Sequence, residues 1–208
     1  MGLDIYFHLY KKVRERNAGE TFPKYYNALV KANDKATAKE AKQAIKDGIA
    51  KLKKAENFSL ELAEFNSAMA VYFPYEFERK DLIDAKSVED VEKWAGDIKW
   101  DWFYKPSDAY FRKVNCIYRY FADRLEDEVC EVYKSDITEI ISRATRILAE
   151  RDNALAEELL PTQSGFFFGS TDYDNWYFGD VEDCKRQMEK LLSMYDEDTD
   201  VVFFIMSW

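Results

Sequence analysis

The last ten residues, TDVVFFIMSW, constrain the fold more than any other part of the sequence. Residues 201–206 are all apolar, so an extended segment here presents apolar side chains on both of its faces. Such a segment is stable when other elements cover both faces, as they do for a strand in the interior of a sheet. The C-terminal run therefore predicts a central strand, which needs neighbouring strands from elsewhere in the chain.

The first candidate neighbour is the N-terminal segment LDIYFHLY, in which successive side chains point to opposite faces of a predicted strand. We expect this strand to pair with the C-terminal one. A third strand is predicted for EVCEVYK, at residues 128–134. The core face of the first strand is expected to carry Leu3, Ile5, Phe7 and Leu9, and the opposite face Asp4, Tyr6, His8 and Tyr10.

Helical periodicity accounts for most of the remaining chain. Apolar residues recur along one stripe of residues 22–57, with lysines opposite, and a second helix follows before Pro74. We therefore expect residues 22–75 to form a helical insertion after the first strand. The spacing of Ser87 and Asp90 predicts a capping box and a short helix.

The C-terminal half predicts further helices. The segment 107–125 has helical periodicity that begins at Ser107, and Asp180 is predicted to cap the last helix. Strands at the start, middle and end of the chain, separated by helices, predict an α+β fold. We expect residues 1–208 to form one domain with a small sheet of about three strands.

Charge and cysteine content limit the classes of partner and compartment. The formal net charge is −10, and nucleic-acid binding draws its affinity from lysine and arginine, so direct nucleic-acid binding is disfavoured. An acidic surface aids solubility, and a mimic of nucleic acid that occupies a basic partner protein is the alternative. No apolar run is long enough for a membrane span, and the start of the chain lacks a signal-peptide pattern. Cys116, Cys130 and Cys184 match no zinc or disulfide spacing, which indicates reduced thiols in the cytoplasm.

The most unusual segment is LLPTQSGFFFGSTDYDNWYFGD, at residues 159–180. Pro161 ends the preceding helix, while Gly165 and Gly169 permit backbone conformations that other residues avoid. Amides and hydroxyls near Ser170 resemble a small anion-binding nest, and the phenylalanines offer a stacking surface for a flat ligand. The alternative is that these phenylalanines fill the core. The sequence leaves both interpretations open.

Other chemical signals in the sequence are incomplete. Asp172, Asp174, Asp180 and Asp183 have the spacing of a calcium loop but lack its glycine and its bidentate glutamate, so no metal site is predicted. His8 is the one histidine, and any acid–base scheme must use it. No complete catalytic set and no phosphate-binding glycine motif is present, so no cofactor is predicted.

The predicted helix 107–125 offers one further anion-binding candidate. Arg112, Asn115 and Arg119 fall on one of its faces, where two guanidinium groups suit an anion. Pairing of these arginines with nearby acids such as Asp108, Asp123 and Glu126 is the alternative.

Three segments together resemble a family of small proteins found in bacteriophages, prophages and gut bacteria. They are MGLDIY, YFRKVNCIYRYF and ELLPTQSGFFFGSTDYDNWYF, and the resemblance covers the first ten residues and most of the chain from Ala109 onward. It implies a phage-related origin and no mechanism. The resemblance also implies that its motif positions share one pocket. These positions are Asp4, Tyr6, Arg112, Lys113, Asn115, Gln163, Gly165, Gly169, Ser170, Tyr173 and Asp174.

These observations favour a non-enzymatic binding protein from a phage or mobile element, acting in the bacterial cytoplasm. Its partner is expected to be a host protein or a small nucleotide-like anion. The alternative is an enzyme acting on a nucleotide or phosphorylated substrate, with Asp4 or His8 as base and Arg112 as anion clamp. The predicted ligand-binding residues are Asp4, Tyr6, Arg112, Asn115, Gln163, Gly169, Ser170, Tyr173 and Asp174.

Overall fold

A computed structural model describes residues 2–74 and 85–208 of the chain. The chain divides into two compact units. The sheet unit comprises Met1–Val30 and Ser107–Trp208, and the helical unit comprises Lys31–Pro106. The end of the insertion predicted for residues 22–75 lies outside the described residues.

The α+β class is confirmed. The described residues form seven α-helices and one four-stranded antiparallel sheet. The strands are β1 (Asp4–Lys11), β2 (Ala109–Arg112), β3 (Val129–Val132) and β4 (Asp200–Ser207). The helices are α1 (Phe22–Leu52), α2 (Phe58–Met69), α3 (Val88–Asp97), α4 (Asn115–Phe121), α5 (Lys134–Glu150), α6 (Asn153–Leu159) and α7 (Asn175–Met194).

The strand order is β2-β1-β4-β3, so the C-terminal strand is central, as its apolar composition predicts. β1 and β4 pair antiparallel over eight residues, from the Asp4–Ser207 pair to the Lys11–Asp200 pair. The side chain of Asp200 is buried, and its Oδ1 atom accepts a hydrogen bond from Lys11 Nζ at 2.5 Å. This ion pair fixes the register at one end of the two long strands.

Both faces of the sheet are covered by apolar side chains of the sheet unit. On one face, Ile5 and Phe7 pack with Phe204 against α4, α5 and α7. On the other face, the first turns of α1 cover Tyr10 and Phe203, while the end of β1 near Asp4 and Tyr6 is only half-buried. The core face of β1 is the predicted one, and its second face is more buried toward Tyr10 than the sequence indicates.

The structure corrects the prediction of one helix over residues 107–125. Ala109–Arg112 is a fourth strand, in which Ala109 and Phe111 face the core. Lys113 then adopts a positive φ of 61°, which ends the strand, and α4 begins at Asn115. The spacing of apolar residues in 107–125 fits one helix and a strand–turn–helix equally well. A strand of four residues is too short for its alternation to distinguish the two structures.

The position of β2 at one side of the sheet is supported by a glutamine of α7. The backbone N–H of Tyr110 donates to Gln187 Oε1 at 2.9 Å, and Gln187 Nε2 donates to the carbonyl of Tyr110 at 3.0 Å. One side-chain amide therefore satisfies both backbone groups of Tyr110, as a neighbouring strand would.

The start of the last helix is also corrected. α7 begins at Asn175 because the carboxylate of Asp174 accepts hydrogen bonds from the backbone N–H groups of Trp176 and Tyr177. Asp180 lies within the helix, and Gly179 is accommodated there. The capping box of Ser87 and Asp90 is confirmed at the start of α3.

The helical unit has its own core of apolar side chains from α1, α2 and α3. Gly48 on α1 permits close approach of α2, since a Cβ atom at Gly48 would lie 2.4 Å from Cδ2 of Phe65. Trp94 on α3 packs edge-to-face on Phe65 and Phe73, with ring centroids 6.2 and 5.4 Å apart. Trp100 and Phe103 continue this aromatic cluster beyond α3. Within the described part of the chain, no helix combines the length and the apolar character that a bilayer span requires.

Candidate functional site

The predicted site residues of β1 and β2 meet at one end of the sheet. Asp4 and Arg112 are register partners, and so are Tyr6 and Tyr110. Asp4 Oδ1 accepts a hydrogen bond from the Tyr110 hydroxyl at 2.5 Å and lies 3.5 Å from Arg112 Nη1. Burial and the hydrogen bond to Asp4 raise the pKa of Tyr110, so this phenol donates a hydrogen bond and stays protonated at neutral pH.

His8 lies further along the same strand face. Its ring stacks on Tyr10 with a centroid distance of 5.4 Å, and the Tyr6 ring lies 6.4 Å away on its other side. The histidine is therefore part of an aromatic row along β1. The arrangement provides packing surface, and the neighbouring acid, Asp4, is committed to Tyr110 and Arg112.

A second group of predicted residues meets at Asn115, which is 3% exposed. Its Nδ2 atom donates to the carbonyls of Phe168 and Ser170 at 3.2 and 2.7 Å. Its Oδ1 atom accepts from the backbone N–H of Gln163 at 3.3 Å. A single buried amide thus fastens both ends of residues 163–170 to the start of α4, which is a structural role.

Gly169 lies directly against the β2–α4 turn. Its φ is +88°, and a Cβ atom there would lie 3.3 Å from Cβ of Lys113. The loop is also tied to β1, because the N–H of Leu3 donates to the carbonyl of Phe167 at 3.0 Å. The N-terminal strand, the β2–α4 turn and the phenylalanine segment therefore converge.

Tyr173 and Asp174 close the same loop from its far end. The Tyr173 hydroxyl accepts a hydrogen bond from the N–H of Thr162 at 3.2 Å, and Asp174 caps α7. The Ser170 hydroxyl donates to Asp172 Oδ2 at 3.1 Å. The polar groups predicted to form an anion nest are thus used within the loop itself.

The three phenylalanines have different environments. Phe168 is 9% exposed, and its ring packs on Tyr118 with a centroid distance of 4.7 Å. Phe167 is half-buried, whereas Phe166 is 95% exposed. The segment therefore fills the core with one ring and presents another to solvent, which combines the two interpretations left open by the sequence.

A different concave site lies between α4, α5 and the end of α6. It is a cavity of about 390 Å³, within the range of small-ligand sites. Arginine side chains from three places in the sequence line it, together with a tyrosine hydroxyl and two carboxylates. The lining residues that the argument uses are Arg119, Tyr120, Asp123, Arg124, Asp136 and Arg143.

Of the arginines that line this cavity, Arg143 is held by two hydrogen bonds. Arg143 donates through Nη1 to the carbonyl of Leu159 at 2.7 Å and through Nη2 to Glu139. Glu139 also accepts from the Tyr120 hydroxyl at 2.8 Å. Burial, and then the hydrogen bond to Glu139, raise the pKa of Tyr120, while Tyr120 and Arg143 lower the pKa of Glu139. The result is a glutamate that is ionised and a tyrosine that stays protonated.

The other two arginines differ in their partners. Arg124 Nη2 lies 3.0 Å from Oδ2 of Asp136, whose side chain is largely buried. Arg119 Nη1 donates to Asp123 at 3.0 Å, as the pairing alternative predicts, but the Asp123 side chain is 84% exposed. An exposed pair of this kind is weak, so a ligand can replace Asp123 as the partner of Arg119 at small cost.

Cys116 also lines the cavity but is no candidate nucleophile. Burial raises the pKa of the Cys116 thiol to about 12, so the reactive thiolate is scarce at neutral pH. The chemistry that this cavity offers is recognition of negative charge by guanidinium groups.

The sequence pointed to only part of this arrangement. Arg119 was a candidate for an anion site beside Arg112 and Asn115 on one predicted helix, with pairing to nearby acids as the alternative, but the structure has no single helix that carries all three. The residues missed were Tyr120, Arg124, Asp136, Glu139 and Arg143. The Glu139–Arg143 spacing of four residues was a visible signal for one ion pair, whereas the approach of α5 to α4 was not.

Among residues 2–74 and 85–208, no group of three or more histidines, cysteines or carboxylates is placed to hold a metal ion. Comparison with known proteins adds no assignment to this geometry: no protein-family model, no curated protein and no solved structure matches the chain.

Proposed function

We propose that this chain is a non-enzymatic binding protein whose ligand is a small anion bearing carboxylate or phosphate groups. The binding site is the cavity lined by Arg119, Arg124 and Arg143. The observation that carries the proposal is that three arginines line one cavity of about 390 Å³. The resemblance to phage and prophage proteins supports our further proposal that the protein acts in the bacterial cytoplasm.

The charge of the surroundings makes this convergence notable. The sheet unit, Met1–Val30 with Ser107–Trp208, carries 16 lysines and arginines against 25 aspartates and glutamates. A cluster of guanidinium groups in an acidic unit is consistent with a binding role for them. Two of the three are fixed, Arg143 by the carbonyl of Leu159 and Arg124 by Asp136. Preorganised donors lose less freedom on binding, which favours affinity for a carboxylate or phosphate.

A binding role fits this cavity better than catalysis. Proton transfer at neutral pH needs a group that changes its protonation state there, and Tyr120 and Cys116 both have raised pKa values. Asp136 accepts from the backbone N–H of Tyr133 at 2.8 Å in addition to its contact with Arg124. Its oxygens are therefore engaged in holding the start of α5.

Thermal unfolding in the presence of candidate anions tests the proposal. Citrate, succinate and inorganic phosphate are compared at constant ionic strength with sodium chloride alone. A ligand at one hundred times its dissociation constant adds about 2.7 kcal/mol, which raises Tm by about 5–10 °C for a protein of this size. We expect at least one of the three anions to produce such a shift.

Two arginine variants give the matched comparison. Arg119→Ala removes a cavity guanidinium whose partner is exposed, so the fold is preserved and the ligand-induced shift is lost. Arg186→Ala removes an exposed guanidinium on α7 that pairs with Asp183, and it retains the shift. A shift of equal size in both variants, or no shift with any of the three anions, contradicts the proposal.

A further inference from the structure

The helical unit carries a basic stripe that the net charge of the whole chain conceals. Five lysines of α1 recur at intervals of four, four, three and four residues, which places them within about 80° of the helix surface. At 1.5 Å per residue the stripe is about 22 Å long. The acids Glu40 and Asp47 fall on the opposite side of the helix. The stripe consists of Lys31, Lys35, Lys39, Lys42 and Lys46.

The middle of the stripe borders a second cavity, with a volume of about 460 Å³. Its basic wall is formed by Lys35, Lys39 and Lys42, and its aromatic wall by Trp100 and Phe103. The two rings lie 5.5 Å apart between centroids, and Lys42 Nζ lies 4.6 Å from the centre of the Trp100 ring. Cations and aromatic rings therefore face one space.

The aromatic wall is held by the core of the helical unit. Phe73, which is buried, makes edge contacts with Trp100 and Phe103 at centroid distances of 6.1 and 5.7 Å. Both rings are half-buried, so each is packed on one side and accessible on another. A wall of this kind is rigid before a ligand arrives, which lowers the entropic cost of stacking a flat ring on it.

The lysines keep their charge available. Within residues 2–74 and 85–208, neither Lys35 nor Lys39 forms an ion pair, in contrast to Lys53, which lies 2.7 Å from Glu92. Two carboxylates line the cavity, but Asp34 accepts the backbone N–H of Lys105 at 2.8 Å. The second carboxylate belongs to Asp101, which is exposed to solvent, so water screens its charge.

The acidic character of the whole chain does not apply to this unit. Lys31–Pro106 carries 14 lysines and arginines against 15 aspartates and glutamates, so the excess of acids resides in the sheet unit. Charges further apart than about 8 Å are largely screened at physiological ionic strength. The argument against nucleic-acid binding from the net charge of −10 therefore does not extend to this cavity, where three lysines stand against two carboxylates.

We propose that the cavity of the helical unit binds a nucleotide, with its phosphates on Lys35, Lys39 and Lys42 and its base against Trp100 and Phe103. The chemistry required is a flat heteroaromatic ring joined to phosphate, because the two walls recognise those two groups. A free nucleotide and a nucleotide within a single strand share this chemistry. The length of the stripe beyond the cavity, to Lys31 and Lys46, offers further contacts to a strand.

Fluorescence anisotropy with N-methylanthraniloyl-ATP measures this binding on the full chain. The test variant K35E/K39E/K42E changes exposed lysines, and the control K24E/K134E/K190E makes the same change of charge at exposed lysines elsewhere. We expect the test variant to weaken binding at least tenfold and the control less than threefold. Equal weakening by the two variants, or no saturable binding by the parent at 1 mM protein, overturns the proposal.

Competition experiments and one further variant measure the contributions of the basic and the aromatic wall. They also distinguish a free nucleotide from a nucleotide within a single strand. Unlabelled ATP is expected to displace the probe at concentrations where inorganic phosphate and adenosine do not. Phe103→Leu, which keeps apolar volume and removes the ring, is expected to weaken binding about fivefold or more. Equal displacement by phosphate and by ATP overturns the proposal. A ten-residue oligothymidylate that binds more tightly than ATP, with a steep salt dependence, assigns the site to single strands.

Discussion

The sheet unit and the helical unit differ in how far they depend on buried polar side chains. In the sheet unit, buried polar groups such as Asn115 and Asp200 fasten separate parts of the chain to one another. The helical unit also has a buried polar residue, Asn33, and a half-buried one, Asp34, but the cluster of buried side chains at its centre is apolar and aromatic, and the lysines of its stripe lie on an exposed helix face. Beside its apolar core, the sheet unit therefore depends more on hydrogen bonds between distant segments, whereas the helical unit depends more on close packing.

The largest effect is expected for Asn115→Ala. The substitution removes three hydrogen bonds and leaves the carbonyls of Phe168 and Ser170 without their donor, which costs about 3 kcal/mol. Hydrogen exchange measured by mass spectrometry is expected to show the loss in peptides of the sheet unit. Asn27→Ala, at an exposed position of α1, serves as the control. Equal loss of protection in the helical unit would break the contrast between the units.

Gly169→Ala is expected to have the next largest effect. A φ of +88° is unfavourable for a residue with a Cβ atom, so the variant loses roughly 1–2 kcal/mol in urea unfolding. Gly179→Ala is the matched control, because no atom lies within 4 Å of its added Cβ and it is inside α7. That control is expected to gain about 0.5–1 kcal/mol. The same sign for both variants would show that the loop conformation is not fixed as described.

Gly48→Ala tests close packing in the helical unit. The added Cβ would lie 2.4 Å from Cδ2 of Phe65, so the ring must move against Trp94. Overpacking costs about 1–3 kcal/mol and the gain in helix propensity is about 1 kcal/mol, which leaves a net loss of about 1 kcal/mol. Peptides of α2 and α3 are expected to exchange faster. A neutral or stabilised variant would indicate that this core adapts more easily than the sheet unit does.

The smallest effect is expected for Asp180→Asn and depends on pH. Burial, together with Asp183 and Asp174, raises the pKa of Asp180 to about 6. The folded protein therefore binds a proton more tightly than the unfolded chain, whose aspartates have pKa values near 3.9, and stability falls as pH rises from about 4 to about 6.

Asp180→Asn removes that ionisation. Because the carboxyl is only partly buried, we expect roughly 0.5–1 kcal/mol of added stability at pH 7.5 and none below pH 4. Urea unfolding at the two pH values measures the difference, with the neighbouring exposed Glu182→Gln as the control. A gain that persists at pH 4 would assign the effect to packing and not to charge.

The fold was predictable where the sequence has a long, simple period. The eight-residue strand β1 shows its two faces by alternation, β4 shows by its continuous apolar run that both of its faces are covered, and their pairing follows from the need to cover an apolar strand. β2 was missed because Tyr110, Val114 and Ile117 also satisfy a helical spacing. The positive φ of Lys113, which separates strand from helix, has no signature in a lysine.

The candidate site was predictable only in part, because local spacing in the sequence does not show which distant segments meet. The meeting of Asp4 with Arg112, and of Asn115 with the loop, was expected from the resemblance to a family of phage and prophage proteins. Their roles as hydrogen-bonded supports became visible only with their partners. The arginine cavity depends on α5 lying beside α4, and a packing arrangement between helices distant in sequence is not encoded in local spacing.

The glutamine that bonds to Tyr110 has a consequence for the behaviour of the protein at high concentration. An outermost strand with open backbone groups is a template onto which another chain can add, and this addition begins aggregation. In β2 the side-chain amide of Gln187 bonds both backbone groups of Tyr110, so these groups are not open to another chain. β2 is also only four residues long. Because the strand order is β2-β1-β4-β3, the apolar β4, which is the segment most able to form intermolecular β-structure, lies two strands away from this protected edge.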